Sequence, residues 1–427
     1  MSTKQAAIPT NPTLAGQDAD WRRRLGWMVA IGFALRVGFV LAAHTYRFKA
    51  ASGNFGFGYE MGRIAESLAQ GHGFANPFKS PTGPTAWEPP LYPFLIAAVF
   101  RLTGIYTTAS SIILLTINSF FSAVTAAPVF CLAKRSFGAR IASWSAWTWT
   151  LCPYAMYWAV KWVWETSIAA FLLITLLLMA WRLAEGARTR EWAAWGMLWG
   201  VAALLNPSLL SLLPFAGLWI AYRRWRAKQA FLGGAIIASL LFFAVIAPWL
   251  VRNYKTFHKP VFLRTNFGVE LRLGNGPGAD GLSMGYELHP THSPSEFARY
   301  KQMGEPAYVA HQKREAVDWI KANPGQFVKV SIARFVYYWT DTPWGGRIMP
   351  AKNALFLASS ICGFWGLWLM WKQRRPGFFL FAICLLVFPL IYYVVFPHPR
   401  YRGPIEPELF TLMVFLVSQA KEVVRKT

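Results

Sequence analysis

The sequence predicts an all-α protein that crosses a membrane with about ten helices. Of its 427 residues, 55% are hydrophobic and only 15% are charged, whereas soluble domains carry about 25% charged residues. The apolar residues form blocks near the length of about 20 residues that a membrane-spanning helix needs. Small basic clusters flank many of these blocks, which is typical of loops at an anionic cytoplasmic leaflet.

The apolar blocks predict both the spans and their orientation. The run 91–104 is short, which fits a re-entrant or interfacial helix better than a span. If this run does not cross, the basic clusters share one side, and the positive-inside rule makes that side cytoplasmic. Both termini are then cytoplasmic. The predicted spans are 25–43, 109–133, 141–158, 166–181, 192–205, 208–222, 230–250, 354–371, 377–396 and 405–418.

Four parts are predicted around one integral membrane domain. Residues 1–24 form a cytoplasmic tail, and residues 25–250 form a transmembrane catalytic core that includes the first outer loop, 44–108. Residues 251–350 form an extracytoplasmic cap loop. Residues 351–427 form the C-terminal transmembrane helices and a short cytoplasmic tail.

Two prolines predict helix boundaries. Pro207 lacks a backbone donor and biases Asn206 out of the helix, so a tight hairpin is expected between the fifth and sixth spans. In the cap loop, Asn323 before Pro324 predicts an N-cap with proline at the first helical position. The helix that starts there is mostly apolar and is expected to lie over the membrane domain.

The formal net charge of +24 does not indicate a nucleic-acid-binding protein. The basic residues sit at the ends of apolar segments instead of on one binding face. Membrane lipids are therefore expected partners, and nucleic acid is not. The cysteines fall inside apolar segments without disulfide or metal-ligand spacing; they are Cys131, Cys152, Cys362 and Cys384.

The first outer loop carries the principal candidate base, Glu60. Neighbouring glycines, including Gly58 and Gly62, permit close backbone approach, and a short amphipathic helix follows. A carboxylate held at the membrane surface is suited to general-base catalysis. The alternative is a helix-start carboxylate that the helix dipole favours. Glu66, on the same helix, is expected to be solvated.

Glu88 is the second candidate catalytic acid. It lies between Trp87 and Pro89 in a proline-rich strap, which is expected to be extended and stiff. From there it could assist catalysis, grip a substrate or bind a metal. The alternative is a solvated loop carboxylate.

Four basic residues on the predicted outer face are candidates for binding a phosphate. Guanidinium groups bind phosphate oxygens in bidentate fashion. Arg400 and Arg402 fall in one short loop, and Arg252 opens the cap loop. For these arginines the alternative is snorkelling to lipid headgroups. Lys161 is the fourth candidate, although an i,i+4 pair with Glu165 is its plainer interpretation.

These residues and their order along the chain resemble the sequence pattern of the membrane C-type glycosyltransferases. The resemblance is closest to bacterial members of glycosyltransferase family 39, relatives of the protein O-mannosyltransferases and aminoarabinose transferases, and it covers most of the chain. The segments that carry it are Glu60 with 64–65, 71–74, 84–86 and 89–93, then 134–138, 248–249, 252–254, 274–275, 304–305 and 400–402.

The resemblance implies the membrane C-type glycosyltransferase fold and an enzyme of the bacterial inner membrane with an extracytoplasmic active site. It implies a polyprenyl-phosphate-linked sugar donor and a lipid, glycan or protein acceptor. The family's first-loop acid acts on the acceptor, and that position falls on Glu60. Because the leaving group is already a phosphate, no cofactor is required. A divalent metal at Glu88 stays an open alternative.

Two other functions stay open from the sequence. A transporter or flippase of lipid-linked sugars predicts internal repeats and paired charges near the membrane midplane. No repeat is evident, and Arg36 is the clear mid-span charge, which could equally pair with another helix. A membrane scaffold without catalysis would leave the convergence of polar outer loops unexplained.

Overall fold

α-Helices, joined by short loops and 3-10 turns, make up the computed structural model. The residues it describes are 12–48, 55–282, 285–341 and 350–424. Within these ranges no β-strand occurs beyond one isolated bridge between Ala75 and Pro84. The outermost parts of the predicted tails, residues 1–11 and 425–427, lie outside the described residues.

The helices are named in chain order. The first ten are α1 Pro12–Ala42, α2 Glu60–Ala69, α3 Leu91–Thr103, α4 Thr108–Val124, α5 Ala126–Phe137, α6 Ala139–Leu151, α7 Pro153–Lys161, α8 Thr166–Glu185, α9 Thr189–Leu205 and α10 Leu213–Arg226. The others are α11 Leu232–Phe257, α12 Phe267–Gly274, α13 Pro294–Met303, α14 Glu305–Ala322, α15 Pro324–Thr340, α16 Pro350–Lys372, α17 Phe378–Leu386, α18 Leu390–Val394 and α19 Glu406–Val424.

Five helical stretches of the described chain are long and apolar enough to cross a membrane. They coincide with the first, second, fourth, seventh and eighth predicted spans, which confirms the all-α polytopic class. The other predicted spans fall on shorter helices, so the count of ten crossings stays a prediction. The five stretches are Trp21–Ala42, Thr108–Phe137, Thr166–Glu185, Leu232–Phe257 and Asn353–Lys372.

Proline interrupts two of the predicted spans. Cys152 precedes Pro153 and has an extended conformation (φ −68°, ψ 121°), which ends α6 and starts α7. A residue before proline is pushed out of the helical region by the proline ring. Pro389 likewise precedes α18, three residues after α17 ends. Each break leaves two short helices where the apolar pattern predicts one span.

The predicted turn at Asn206-Pro207 is present. Asn206 is extended (φ −150°, ψ 97°), and a 3-10 segment, Pro207–Leu212, leads into α10. The Asn206 side chain accepts a hydrogen bond from the backbone N–H of Ser208 at 3.1 Å. The connection is therefore a 3-10 turn that begins at the predicted proline.

Close helix packing holds α11 against α9. A Cβ at Gly196 would lie 2.1 Å from the carbonyl oxygen of Ala238, and one at Gly200 would lie 2.6 Å from the Cβ of Val245. Small residues four apart allow such close contact between apolar helices. This contact positions α11, whose last turns lead into the cap loop.

Arg36 ties three helices together inside the protein. Its side chain is fully buried. It donates to the hydroxyl of Ser122 on α4 at 2.9 Å, and to the carbonyls of Thr150 (3.0 Å) and Trp149 (3.1 Å) on α6. Arg36 could be a functional charge of a transporter or a charge that pairs with another helix. These contacts support the pairing with another helix.

The cap loop contains the helix predicted after Asn323, and Asn323 occupies its N-cap position without a side-chain capping bond. α15 begins at Pro324 as expected, yet the Asn323 side chain makes no capping bond to it. Instead its Nδ2 donates to the carbonyl of Trp319 in α14 at 3.0 Å. Asn323 is therefore the N-cap residue with proline in the first turn, as predicted, but its side chain bonds the preceding helix instead of capping α15.

Glu305 fastens the cap loop to the first outer loop. Its carboxylate accepts from the backbone N–H of Ala86 at 2.7 Å and from the Thr85 hydroxyl. From within the cap loop it accepts from the hydroxyls of Thr265 and Tyr300, each at 2.7 Å. These bonds hold the proline-rich strap at a defined position under the cap.

Candidate active site

A two-lobed cavity lies between the first outer loop, the cap loop and the ends of several helices. Its lobes have volumes of about 90 Å³ and about 120 Å³. Both are lined by residues from distant parts of the chain. The residues they share are Glu88, Trp164, Glu270, Arg400 and Tyr401.

Glu60 lines the larger lobe at the start of α2. The chain makes an unusual turn before it, with positive φ at Gly58 (84°) and Tyr59 (54°). A Cβ at Gly58 would lie 2.7 Å from the carbonyl oxygen of Val163. The glycine thus permits the predicted close backbone approach, which places Glu60 at the cavity wall.

A neutral histidine faces Glu60. Nε2 of His289 lies 3.7 Å from Oε1 of Glu60. Burial lowers the pKa of His289 to about 3, so the ring is uncharged at neutral pH. Its Nδ1 accepts from the backbone N–H of Thr291 at 3.2 Å, which leaves the proton on Nε2, toward Glu60.

Burial makes Glu60 a weak acid. It raises the pKa of Glu60 to about 8, and the nearby charge of Glu88 adds to the effect. A carboxylate in such surroundings binds a proton near neutral pH, which suits a group that exchanges protons with a substrate. The general-base role of Glu60 stays a prediction, and its burial and raised pKa are compatible with that role.

Glu88 is also buried, with 7% exposure, so the solvated alternative is wrong. Its strap lies beneath the cap, where Glu88 borders both lobes. Oε2 of Glu88 lies 3.9 Å from Nη1 of Arg264. Burial raises the pKa of Glu88 to about 7, while Arg264 opposes the rise.

Arg400 is the predicted phosphate-binding residue that reaches the cavity. It lines both lobes, and its guanidinium carbon lies 3.6 Å from the ring centre of Trp164. Nη1 is buried without a hydrogen-bond partner in the described chain, and it lies 4.0 Å from Oε2 of Glu165. A guanidinium group that lies over an aromatic ring and keeps one nitrogen without a hydrogen bond is well placed to bind an anion.

Arg402 does not reach the cavity, contrary to prediction. Its side chain is fully buried and forms an ion pair with Glu406, with Nε 2.5 Å from the carboxylate. The other donors reach Ser360 (2.6 Å), Ser359 (2.8 Å) and the carbonyl of Phe356 (3.2 Å). Its nitrogens are all engaged in joining α16 to α19, so Arg402 is structural.

Arg252 is also structural, contrary to prediction. It donates to the carbonyls of Thr85 at 2.6 Å and Phe74 at 2.8 Å, and to the side chain of Asn253 at 3.0 Å. Its guanidinium carbon lies 4.8 Å from the ring centre of Trp249. Arg252 therefore ties the end of α11 to the first outer loop and does not line either lobe.

Lys161 and Glu165 do not form the i,i+4 pair. α7 ends at Lys161 and α8 begins after Glu165, so the two residues share no helix. Lys161 is exposed over the ring of Tyr157 and borders a separate depression, with His44 and Arg47. Glu165 faces the smaller lobe. The phosphate-binding prediction for Lys161 is therefore wrong for this cavity.

Several titratable residues of the cap loop that line the cavity were not predicted from the sequence. They are Arg264, Glu270, His289 and His292. Burial raises the pKa of Glu270, as it does for the two predicted acids. In the sequence, these residues are recognisable only as charged or imidazole side chains in a loop that is predicted to face the substrate. No motif distinguishes them from the other polar residues of that loop.

Within the described residues, no group of three or more histidine, cysteine, aspartate or glutamate side chains is arranged to hold a metal ion. The cavity acids Glu60, Glu88, Glu165 and Glu270 therefore form no such group. A metal ligand role for Glu88 stays an untested alternative.

Known proteins are similar to this chain in sequence and in structure. Residues 87–251 match the family model described as dolichyl-phosphate-mannose-protein mannosyltransferase. None of the curated proteins searched matches the chain.

Two solved structures illustrate the structural similarity. The archaeal oligosaccharyltransferase AglB from Archaeoglobus fulgidus, in complex with an inhibitory peptide and a dolichol-phosphate, is 15% identical with a TM-score of 0.48. The match covers 85% of this chain and 46% of that one, so this chain spans less than half its length. ArnT from Cupriavidus metallidurans, bound to undecaprenyl phosphate, is 13% identical with a TM-score of 0.36, over 94% of this chain and 78% of that one. The family match confirms the predicted resemblance to glycosyltransferase family 39 over residues 87–251, from the first outer loop into α11.

Proposed function

We propose that the protein is a glycosyltransferase that moves a sugar from a polyprenyl-phosphate-linked donor to an acceptor on the extracytoplasmic face of the membrane. One observation carries the proposal. The cavity brings Glu60 and Glu88 of the first outer loop together with Arg264 and Arg400 from later parts of the chain. Acids that exchange a proton with the acceptor and guanidinium groups that bind phosphate oxygens are suited to sugar transfer from a phosphate.

The two arginines supply the phosphate site. Arg264 and Arg400 both line the smaller lobe. As the bond between the sugar and the phosphate breaks, negative charge grows on the phosphate oxygens. Guanidinium groups at fixed positions stabilise that charge and so favour departure of the polyprenyl phosphate.

Glu60 acts on the acceptor. The acceptor oxygen bonds to the anomeric carbon of the donor sugar, and its proton passes to the Glu60 carboxylate. The electron pair of the broken bond leaves with the phosphate. Nε2–H of His289 faces this carboxylate at 3.7 Å and would favour its charged, proton-accepting form if the two groups moved into hydrogen-bond distance. Glu88, beside Arg264, orients the reacting groups.

The setting supports a lipid-borne donor. The cavity belongs to a polytopic membrane protein, and the distribution of basic clusters assigns its loops to the outer face. The matched family is named for a dolichyl-phosphate-linked sugar donor. A bacterial inner-membrane location and an outward-facing site follow as part of the same proposal.

Transport of a lipid-linked sugar draws less support. A transporter places functional charges near the membrane midplane. The mid-span charge, Arg36, is instead occupied by contacts with α4 and α6. The cavity acids lie on outer-loop residues.

Transfer by the purified full chain tests the proposal. Polyprenyl phosphates carrying radiolabelled hexoses or pentoses are incubated with lipid, glycan and peptide acceptors. The proposal expects label in one acceptor class and release of an equal amount of polyprenyl phosphate. Intact donors after incubation with active membranes and all three acceptor classes would contradict it.

A further inference from the structure

The cavity is lined by side chains with buried polar atoms that lack hydrogen-bond partners within the described chain. In the larger lobe these atoms are donors: Nε1 of Trp158, Trp162 and Trp164, and Nη1 of Arg400. Two acceptors, Oε2 of Glu165 and Oδ1 of Asn266, line the smaller lobe, where Oε2 of Glu165 lies 4.0 Å from Nη1 of Arg400. An unpaired buried polar group costs free energy, so a ligand that satisfies these atoms gains affinity.

The mixture of donors and acceptors restricts the ligand. An ammonium group can only donate, and an ionised phosphate can only accept. A hydroxyl does both. A ligand in the larger lobe can pair with the indole N–H groups and also with the carboxylates of Glu60 and Glu88 only if it both accepts and donates. The hydroxyl groups of a sugar do both at every edge of the ring.

Half of the residues that line the larger lobe are phenylalanine, tyrosine or tryptophan. A pyranose ring has apolar C–H faces and polar edges, which fits aromatic walls bordered by carboxylates. Glu60 and Glu88 can accept from the hydroxyls at those edges. The aromatic residues that line this lobe are Phe55, Tyr59, Trp87, Trp158, Trp162, Trp164, Phe396 and Tyr401.

We infer that the acceptor is a carbohydrate, bound in the larger lobe with the attacking hydroxyl beside Glu60. The inference rests on the proposed function and selects one of its three acceptor classes. The hydroxyl oxygen bonds to the anomeric carbon of the donor and gives its proton to Glu60, while polyprenyl phosphate leaves with the electron pair. The indole N–H groups of Trp162 and Trp164 bind acceptor oxygens and position this hydroxyl.

Direct binding tests the inference without requiring transfer. Manno- and chito-oligosaccharides, a serine- and threonine-containing peptide and a short-chain lipid phosphate are titrated calorimetrically into the purified full chain. Saturable binding is expected for an oligosaccharide. Trp162→Phe keeps an aromatic ring but loses the N–H, so its Kd should rise about tenfold. Trp368→Phe, on the exposed face of α16, should leave the Kd unchanged.

Trp164→Phe provides a second variant if Trp162→Phe does not fold. Saturable peptide binding with no oligosaccharide binding overturns the inference, and so does equal oligosaccharide affinity in wild type and both variants. Transfer assays separate the two proposals. Transfer to peptide alone would leave the glycosyltransferase proposal standing and refute the carbohydrate acceptor. Tryptophan-dependent oligosaccharide binding without transfer from any donor would support the carbohydrate site and refute the transferase.

Discussion

Oε1 of Glu60 lies 3.7 Å from Nε2 of His289. The first residue belongs to the first outer loop and the second to the cap loop, so their contact depends on docking of the cap. Since Nδ1 of His289 accepts from Thr291, the imidazole presents its proton to Glu60. We therefore expect the histidine to position the proposed base and not to act as the base itself.

Activity is expected to rise with pH. Burial raises the pKa of Glu60 to about 8, and a general base acts in its deprotonated form. Below this pKa the transfer rate should fall about tenfold for each pH unit. Initial rates between pH 5 and 9, at saturating donor and acceptor, give the profile. An acidic limb centred near pH 4.5, the ordinary value for glutamate, would contradict the assignment.

His289→Phe should move that limb to higher pH. The variant loses the N–H that faces Glu60. If this N–H stabilises the charged carboxylate during the reaction, the limb should shift up by roughly one pH unit. His289→Gln keeps an N–H donor and should shift the limb less. The pH profiles of both variants test this. If both variants lose the same fraction of the transfer rate and the acidic limb of the pH profile does not move, the role of His289 is purely structural.

Stability should fall as pH rises, because of Glu60. Its pKa is about 8 in the folded protein and 4.5 at its ordinary value. Between these values the folded state holds a proton that the unfolded chain has lost, so the free energy of unfolding decreases with rising pH. Glu60→Gln removes this contribution. Its Tm at pH 8 should exceed that of wild type by about 2–4 °C.

Thermal unfolding in detergent measures this difference. The gap between Glu60→Gln and wild type should close as the pH falls toward 4.5. Glu66→Gln, on the same helix but partly exposed, is the matched control and should follow wild type. A constant gap at every pH would show that the substitution acts through packing instead of ionisation.

Arg402→Met should destabilise the protein. It removes one partner of a buried ion pair and leaves Glu406 uncompensated, which costs about 3–5 kcal/mol. A large decrease in Tm is expected. If Arg402→Met keeps the wild-type Tm but loses donor binding, the structural assignment of Arg402 is wrong.

Arg400→Lys should impair donor binding with little effect on stability. Lysine keeps the positive charge near Glu165 but cannot make the bidentate contact of a guanidinium group. The KM for the polyprenyl-phosphate donor is expected to rise about tenfold, with a Tm close to that of wild type. An unchanged donor KM would remove Arg400 from the phosphate site.

The contrast between Arg400 and Arg402 marks the limit of prediction from sequence. Both lie in one 3-10 segment, Pro399–Ile405, where successive residues are about a third of a turn apart. They therefore face different surroundings, and the sequence offered no sign of which one faces the cavity. The predicted pair of Lys161 and Glu165 fails for a similar reason. Their spacing would pair them on a continuous helix, but a break between α7 and α8 separates them.

Local signals were more informative in the first outer loop. Glycines around Glu60 permit unusual backbone conformations, and prolines after Glu88 restrict the backbone. Both effects are local, so a short stretch of sequence is enough to predict them. Arg264 and His289 reach the cavity only through long-range docking of the cap. That docking depends on contacts such as Glu305 with Ala86, whose partners are far apart in the chain.

Sugar transfer by Glu60→Gln tests the central claim most directly. Wild type, Glu60→Gln and the control Glu66→Gln are compared at pH 8 with the same radiolabelled polyprenyl-phosphate donor and acceptor, after each is shown to be folded. The glutamine cannot accept a proton, so transfer should fall at least about a hundredfold, while Glu66→Gln stays active. Wild-type transfer by Glu60→Gln would contradict the account.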